Sequence, residues 1–220
     1  MISRHLSAFR RLLRDTRGMA AMELALAAPA VAGMAAIGIE LTNQAMVNER
    51  VSQVALSAAD NASRVGIAAT SASQQLREVD VNDFMTAIRL QGEKIGLTTN
   101  GRVTVSSLRA DSSGVQKIEW QRCIGKKSGV DWASHYGTAS TTATVTGMGP
   151  TGQRVAAPAN NAVIFVEVNY EYRPLVGNFG RKKRRLQYLA SYIVRDNRLS
   201  GVPSNPAPQA TVASCSVYEA

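Results

Sequence analysis

Between Met19 and Ile39 lie 21 residues with a single charge, Glu23, and the hydrocarbon core of a bilayer takes roughly 20 apolar residues of helix to cross. Such a stretch has two ways to leave water, inside a protein core or inside lipid. Alanine fills nine of its positions, which favours helix but makes it less apolar than a leucine-rich span. Five arginines (Arg4, Arg10, Arg11, Arg14 and Arg17) precede it against one acid, Asp15, whereas Glu40 and the neutral run Thr42-Asn43-Gln44 follow. By the positive-inside rule this orients a spanning helix with its N-terminus in the cytoplasm and sends the rest of the chain across the membrane.

The helical pattern continues past the span. Val47, Val51, Val54, Ala58, Ala62 and Val65 recur at three- and four-residue spacing, with Asn48, Glu49, Arg50, Gln53, Asp60 and Arg64 between them. One face of a continuing helix is therefore apolar. No proline or glycine interrupts residues 39 to 65, so a helix from Met19 to Val65 is expected, about 70 Å long at 1.5 Å per residue.

Small and polar residues from 66 to 80 read as a connector, and a short amphipathic helix is expected from Val81 to Ile95, with Phe84, Ile88 and Ile95 on one side. The period then changes to two. Ile164, Val166, Val168, Tyr170 and Tyr172 alternate with Phe165, Glu167, Asn169 and Glu171, and Leu186, Tyr188, Ala190, Tyr192 and Val194 form a second alternating set. Shorter strands fit 102 to 108 and 115 to 124, and the Gly-, Ser-, Thr- and Pro-rich stretches 125 to 161 and 200 to 212 read as loops. The expected class is α+β: a long N-terminal helix whose second half packs against a small antiparallel sheet.

With 220 residues the chain is too short for a large multidomain enzyme. Its two cysteines, Cys123 and Cys215, lack metal-ligand spacing, and of the two histidines His5 lies before the span. No cofactor, no metal site and no catalytic residue is expected, and no nucleophile elbow or metalloprotease motif is present. The net charge of +9 suggests an anionic partner, but much of it sits in the arginines before the span. The run Arg181-Lys182-Lys183-Arg184-Arg185 reads as a solvated turn between two strands, with no aromatic side chains interleaved for base stacking. No nucleic acid is expected as a partner.

The constellation Arg17-Gly18-Met19-Ala20-Ala21-Met22-Glu23 joins a basic stretch ending in glycine to a glutamate five residues further on. It resembles the processing site of type IV prepilins, where a membrane peptidase cuts after the glycine. Pro29, the step Gly38-Ile39-Glu40-Leu41, the run Ala58-Ala59-Asp60-Asn61-Ala62, the segment Trp120 to Gly125 and the segment Val168 to Leu175 are similar to features of the TadE-like family of tight-adherence (Flp) pilus systems. Leu24 stands where the major Flp pilins carry an aromatic residue, and the head is much larger than theirs, so the resemblance implies a minor, pseudopilin-like role.

That resemblance implies a leader at residues 1 to 18 cleaved between Gly18 and Met19, a membrane helix at 19 to 40, its amphipathic continuation at 41 to 66, and a periplasmic α+β head at 67 to 220. It implies a type IV pilin-like layout, a single-pass inner-membrane location with possible incorporation in a surface pilus, and as partners a prepilin peptidase, other pilin-like subunits and the pilus assembly platform. Glu23 would then act in assembly. Cys123 and Cys215, the only thiols and both outside the cytoplasm on this reading, are expected to pair. The alternative is an exported binding protein with a cleaved secretory signal, whose basic loop holds an anionic glycan or nucleic acid.

Overall fold

The computed structural model describes residues 18–70, 73–139, 144–176, 184–195 and 201–219. Its first element, α1, runs Met19–Arg64, 46 residues or about 69 Å of helix. Alanine and leucine favour it throughout, and the helix continues through Pro29, which removes one N–H from the ladder. At its end Arg64 suits the negative pole of the helix dipole and bonds Asp60 one turn back at 2.8 Å. Gly66 then turns the chain at φ 156°; a Cβ there would sit 3.1 Å from Gln74 Oε1 and 3.3 Å from the Gln75 carbonyl.

The chain divides into two compact units. In the first are the part of α1 up to Gln44 and residues 174–176. From Met19 to Ile39 every residue but Ala36 is exposed. The Glu40 carboxylate accepts the backbone N–H groups of Leu175 at 2.9 Å and Val176 at 3.1 Å.

The second unit is the head, entered at Ala45. Along α1 the buried residues are Val47, Val51, Val54, Ala55, Ala58, Ala59, Ala62 and Ser63, which is the stripe the spacing of apolar residues predicts. A two-stranded hairpin follows, β1 (Ile67–Thr70) with β2 (Ser73–Gln75). Helix α2 (Glu78–Gly92) comes next. Its start is fixed by Asp80, whose carboxylate accepts the Arg77 N–H at 3.0 Å in a capping-box arrangement. Val81, Phe84, Met85 and Ile88 form its buried face. A 3₁₀ turn (Glu93–Ile95) and the short α3 (Leu97–Asn100) lead into the sheet.

The sheet is four-stranded and antiparallel, in the order β4-β3-β5-β6. Its strands are β3 (Gly101–Ala110), β4 (Gln116–Ile124), β5 (Ala162–Tyr172) and β6 (Arg184–Ile193). Pairing places Val103 beside both Ile124 and Val168, and Val168 beside Tyr188. One face (Val105, Ile164, Val166, Val168 and Tyr170 among others) shares a core with Val51, Val54, Phe84 and Ile88. The other face carries a smaller core of Leu108, Ile118, Val163 and Phe165 with Met148 and Ala157, where Tyr136 meets Phe165 edge-on at 5.6 Å.

Two expectations need correcting at the level of elements, and the second face of the sheet adds a finding. Residues 66 to 80 are no plain connector, because they hold the β1–β2 hairpin and the first turn of α2. The amphipathic helix begins three residues earlier than expected and gives way to a 3₁₀ turn at Glu93. The second sheet face is covered: every residue of β5 is buried. Two of its polar members, Glu167 and Glu171, are held by the segment that reads as a loop. Ser134 Oγ and the His135 N–H (3.0 Å) donate to Glu167, and Lys127 Nζ lies 2.9 Å from the Glu171 carboxylate. Gln121 bonds the Gly137 carbonyl at 2.9 Å and the Ala139 N–H at 3.1 Å.

The C-terminal tail runs along the edge of β4. Ala213 and Glu219 carbonyls accept from Cys123 at 2.9 Å and Gly125 at 2.7 Å, so the edge is blunted against further pairing. Gly125 permits the passage: at φ 124° a Cβ would lie 2.4 Å from the Gly101 carbonyl. Cys123 and Cys215 form a disulfide closing 92 positions of sequence, a loop whose closure by chain entropy alone is worth about 4.6 kcal/mol. Buried Arg102 adds a second fastening, donating to the carbonyls of Gly125 (3.0 Å), Val217 (3.2 Å) and Cys215 (2.5 Å), with its guanidinium 4.3 Å from the Tyr218 ring.

Candidate membrane and assembly helix

Gly18 is exposed, and its carbonyl accepts the Met22 N–H at 3.0 Å, the bond that opens α1. A Cβ added at Gly18 would meet nothing within 4 Å among the described residues. Met19, the first helical residue, is half exposed. One turn on stands Glu23, exposed and, among the described residues, without a hydrogen bond or ion pair. Around it Met22, Leu24 and Leu26 present 62%, 69% and 81% of their surface.

Exposed apolar surface on this scale is unusual for a soluble face. Over its first part α1 is long and apolar enough to cross a membrane, and none of that window is buried within the protein. The same length and composition occur in signal sequences; here the helix runs on without a break into the head's core. The helix therefore has two chemistries in one element: an apolar cylinder carrying one carboxylate, then an amphipathic stripe. An acid in hydrocarbon costs roughly 2.5 to 3.5 kcal/mol at mid-span on insertion scales. That cost falls when the carboxylate finds a cation.

The residues of the basic run fall mostly outside this description. Arg181, Lys182 and Lys183 lie outside the described residues. Arg184 and Arg185 open β6 and are exposed, with Arg185 3.2 Å from the Asp131 carboxylate. Within the sheet Arg184 and Arg185 start the edge strand β6, whereas the disulfide lies on β4 at the opposite edge.

Elsewhere the charged groups serve the fold. Arg122 and Glu78 form a buried pair through two nitrogens, with side chains 9% and 2% exposed. Arg109 holds Glu119 at 3.0 Å. A cavity of about 200 Å³, lined by Arg102, Thr104, Gln121, Ser134 and Tyr218 among others, is smaller than the roughly 300 Å³ at which ligand pockets begin. Its one cation, Arg102, is already engaged by three carbonyls. Among the described residues no group of three or more His, Cys, Asp and Glu side chains is placed to hold a metal ion.

Two contributors escape sequence reading. Glu40 is visible as an acid ending the span, but its partners at 175 and 176 are 135 positions away and donate through backbone, which leaves no side-chain signature. Glu167 looks like a solvent-facing member of an alternating strand, and only the folded loop reveals it as fully buried. No family model, no curated protein and no solved structure matches this chain.

Proposed function

We propose that this chain is a minor pilin-like (pseudopilin) component of a Tad/Flp-type pilus assembly or secretion apparatus, structural rather than enzymatic, and anchored by α1 in the inner membrane with its head on the periplasmic side. The observation that carries the reading is Glu23: one unpartnered carboxylate, five residues beyond an exposed glycine, on an apolar helix whose surface the protein does not cover. Cleavage after Gly18 by a prepilin peptidase would make Met19 the first residue and create an ammonium at the level of the span. A carboxylate in lipid gains most from a cation supplied by a neighbouring subunit, and only when the two helices stand in the right axial register. Glu23 would then specify docking more than it stabilises the single chain. The buried ion pairs and the strapped C-terminal tail support a rigid head carried by that helix.

Two substitutions test this in cells. Gly18→Leu is expected to leave an uncleaved precursor in the membrane; Gly18 is exposed and a Cβ there meets none of the described residues, which separates the result from a folding defect of the head. Glu23→Val is expected to be processed and inserted normally yet to fail in pilus assembly, while Glu23→Asp retains part of the function. A processed Glu23→Val protein supporting normal pili would remove the assembly role. A Gly18→Leu protein shortened by the same mass as wild type would instead favour the exported binding protein with an ordinary secretory signal.

A further inference from the structure

The loop between β5 and β6 is tied to the end of the apolar helix, and this has a consequence for where it stands. Glu40 is the first charged residue after Glu23, and 21 residues of helix from Met19 to Ile39 rise about 31 Å, the thickness of a bilayer core. With the apolar segment in lipid, the Glu40 carboxylate lies at the headgroup level. Its two bonds to the amides of Leu175 and Val176 hold those residues at that same level. Leu175 is 67% exposed there, a large apolar side chain mostly uncovered by the described residues. Arg173, next to Pro174 in the chain, is exposed as well.

We propose that residues 174–176 form a second membrane contact, in which Leu175 enters the interface of an anionic bilayer while Arg173, joined to it through Pro174, meets lipid phosphates. This rests on the membrane-span reading above and adds to it a site on the head side of the span. An apolar side chain at the interface leaves water as it enters the acyl boundary. A cationic side chain beside it is drawn to the negative surface potential within a Debye length. Glu40 itself would be repelled by such a surface. Its charge is met instead by the two N–H groups of the loop, which act as a local anion cradle.

The test uses the full chain reconstituted into vesicles of phosphatidylcholine with phosphatidylglycerol. Both native cysteines are in the disulfide, so Leu175→Cys carries a single nitroxide label. Leu26→Cys, at a site 81% exposed within the apolar segment, is the control. Accessibility to oxygen against a water-soluble nickel complex reads immersion depth at each label. The expected result is a deeply immersed label at 26, and at 175 a label in the headgroup region that moves severalfold toward aqueous accessibility when phosphatidylglycerol is omitted or when Glu40→Ala is added. An aqueous label at 175, or one indifferent to anionic lipid, with 26 still immersed, overturns the loop contact and leaves the span intact. Aqueous readings at both positions overturn the span, and the contact with it.

Discussion

At the scale of single residues, the head keeps ionisable groups in places where their charge state matters. Burial pushes the Glu167 carboxyl above the ordinary carboxylate range, against the hydrogen bonds from Ser134 and the His135 amide that pull it down. An acid whose pKa is raised on folding binds its proton more tightly in the native state. The stability this lends is full below the ordinary carboxylate value and is lost as pH rises through the folded one. Replacing Glu167 by Gln removes the titration, so the unfolding free energy of Glu167→Gln should gain on that of the wild type as pH rises through that window. Urea denaturation of the purified chain at a series of pH values reads the difference; curves that stay parallel would contradict it. Arg122 makes a different prediction. Its removal strands Glu78, which is 2% exposed, and breaking a buried pair from one side costs about 3 to 5 kcal/mol. Arg122→Ala should therefore lower the urea midpoint severely, and a loss below about 1 kcal/mol, the worth of an exposed pair, would show that the pair is not buried.

At the scale of elements, α1 divides by what its surface meets. Ala59 is fully buried in the main core, while Ala28 is exposed in the apolar segment. Enlarging both to leucine separates the two environments. Ala59→Leu should destabilise the head by about 1 to 3 kcal/mol through overpacking, whereas Ala28→Leu should leave head stability within about 0.5 kcal/mol of wild type. Equal losses at both sites would mean that the head covers the N-terminal segment. This division was legible beforehand, because Val47, Val51, Val54, Ala58 and Ala62 repeat at the helical period and their burial follows from geometry. The strands were legible for the same reason, with β5 found at Ala162–Tyr172 against an expected start at Ile164. What stayed hidden depends on long-range partners. The cover over Glu167 comes from residues 134 and 135, in a stretch without any period, and the β1–β2 hairpin is too short and too polar to alternate visibly. Of the candidate site, charge alone marks Glu23 as the single ionisable residue of the span, whereas Gly18 and Met19 could be named only through the resemblance to a prepilin processing site. Glu40's cradle could not, since backbone donors carry no residue identity.

At the scale of the whole molecule, the C-terminal tail is tied to the sheet by the Cys123–Cys215 disulfide, by the bonds of Arg102 to the Cys215 and Val217 carbonyls, and by backbone bonds from Cys123 and Gly125. The tail around Cys215 is thus fastened to the sheet, and among the described residues the longest run of exposed apolar side chains lies on the N-terminal helix. Everything in the proposed function follows from whether that helix is kept and where its chain begins. The most direct measurement is the intact mass and N-terminal sequence of protein extracted from membranes of cells that make the complete precursor. The account predicts a mature chain starting at Met19 that fractionates with the membrane and retains the apolar segment. A chain starting beyond Ala30, released in soluble form, would contradict it, as would a membrane-bound chain that keeps residues 1 to 18.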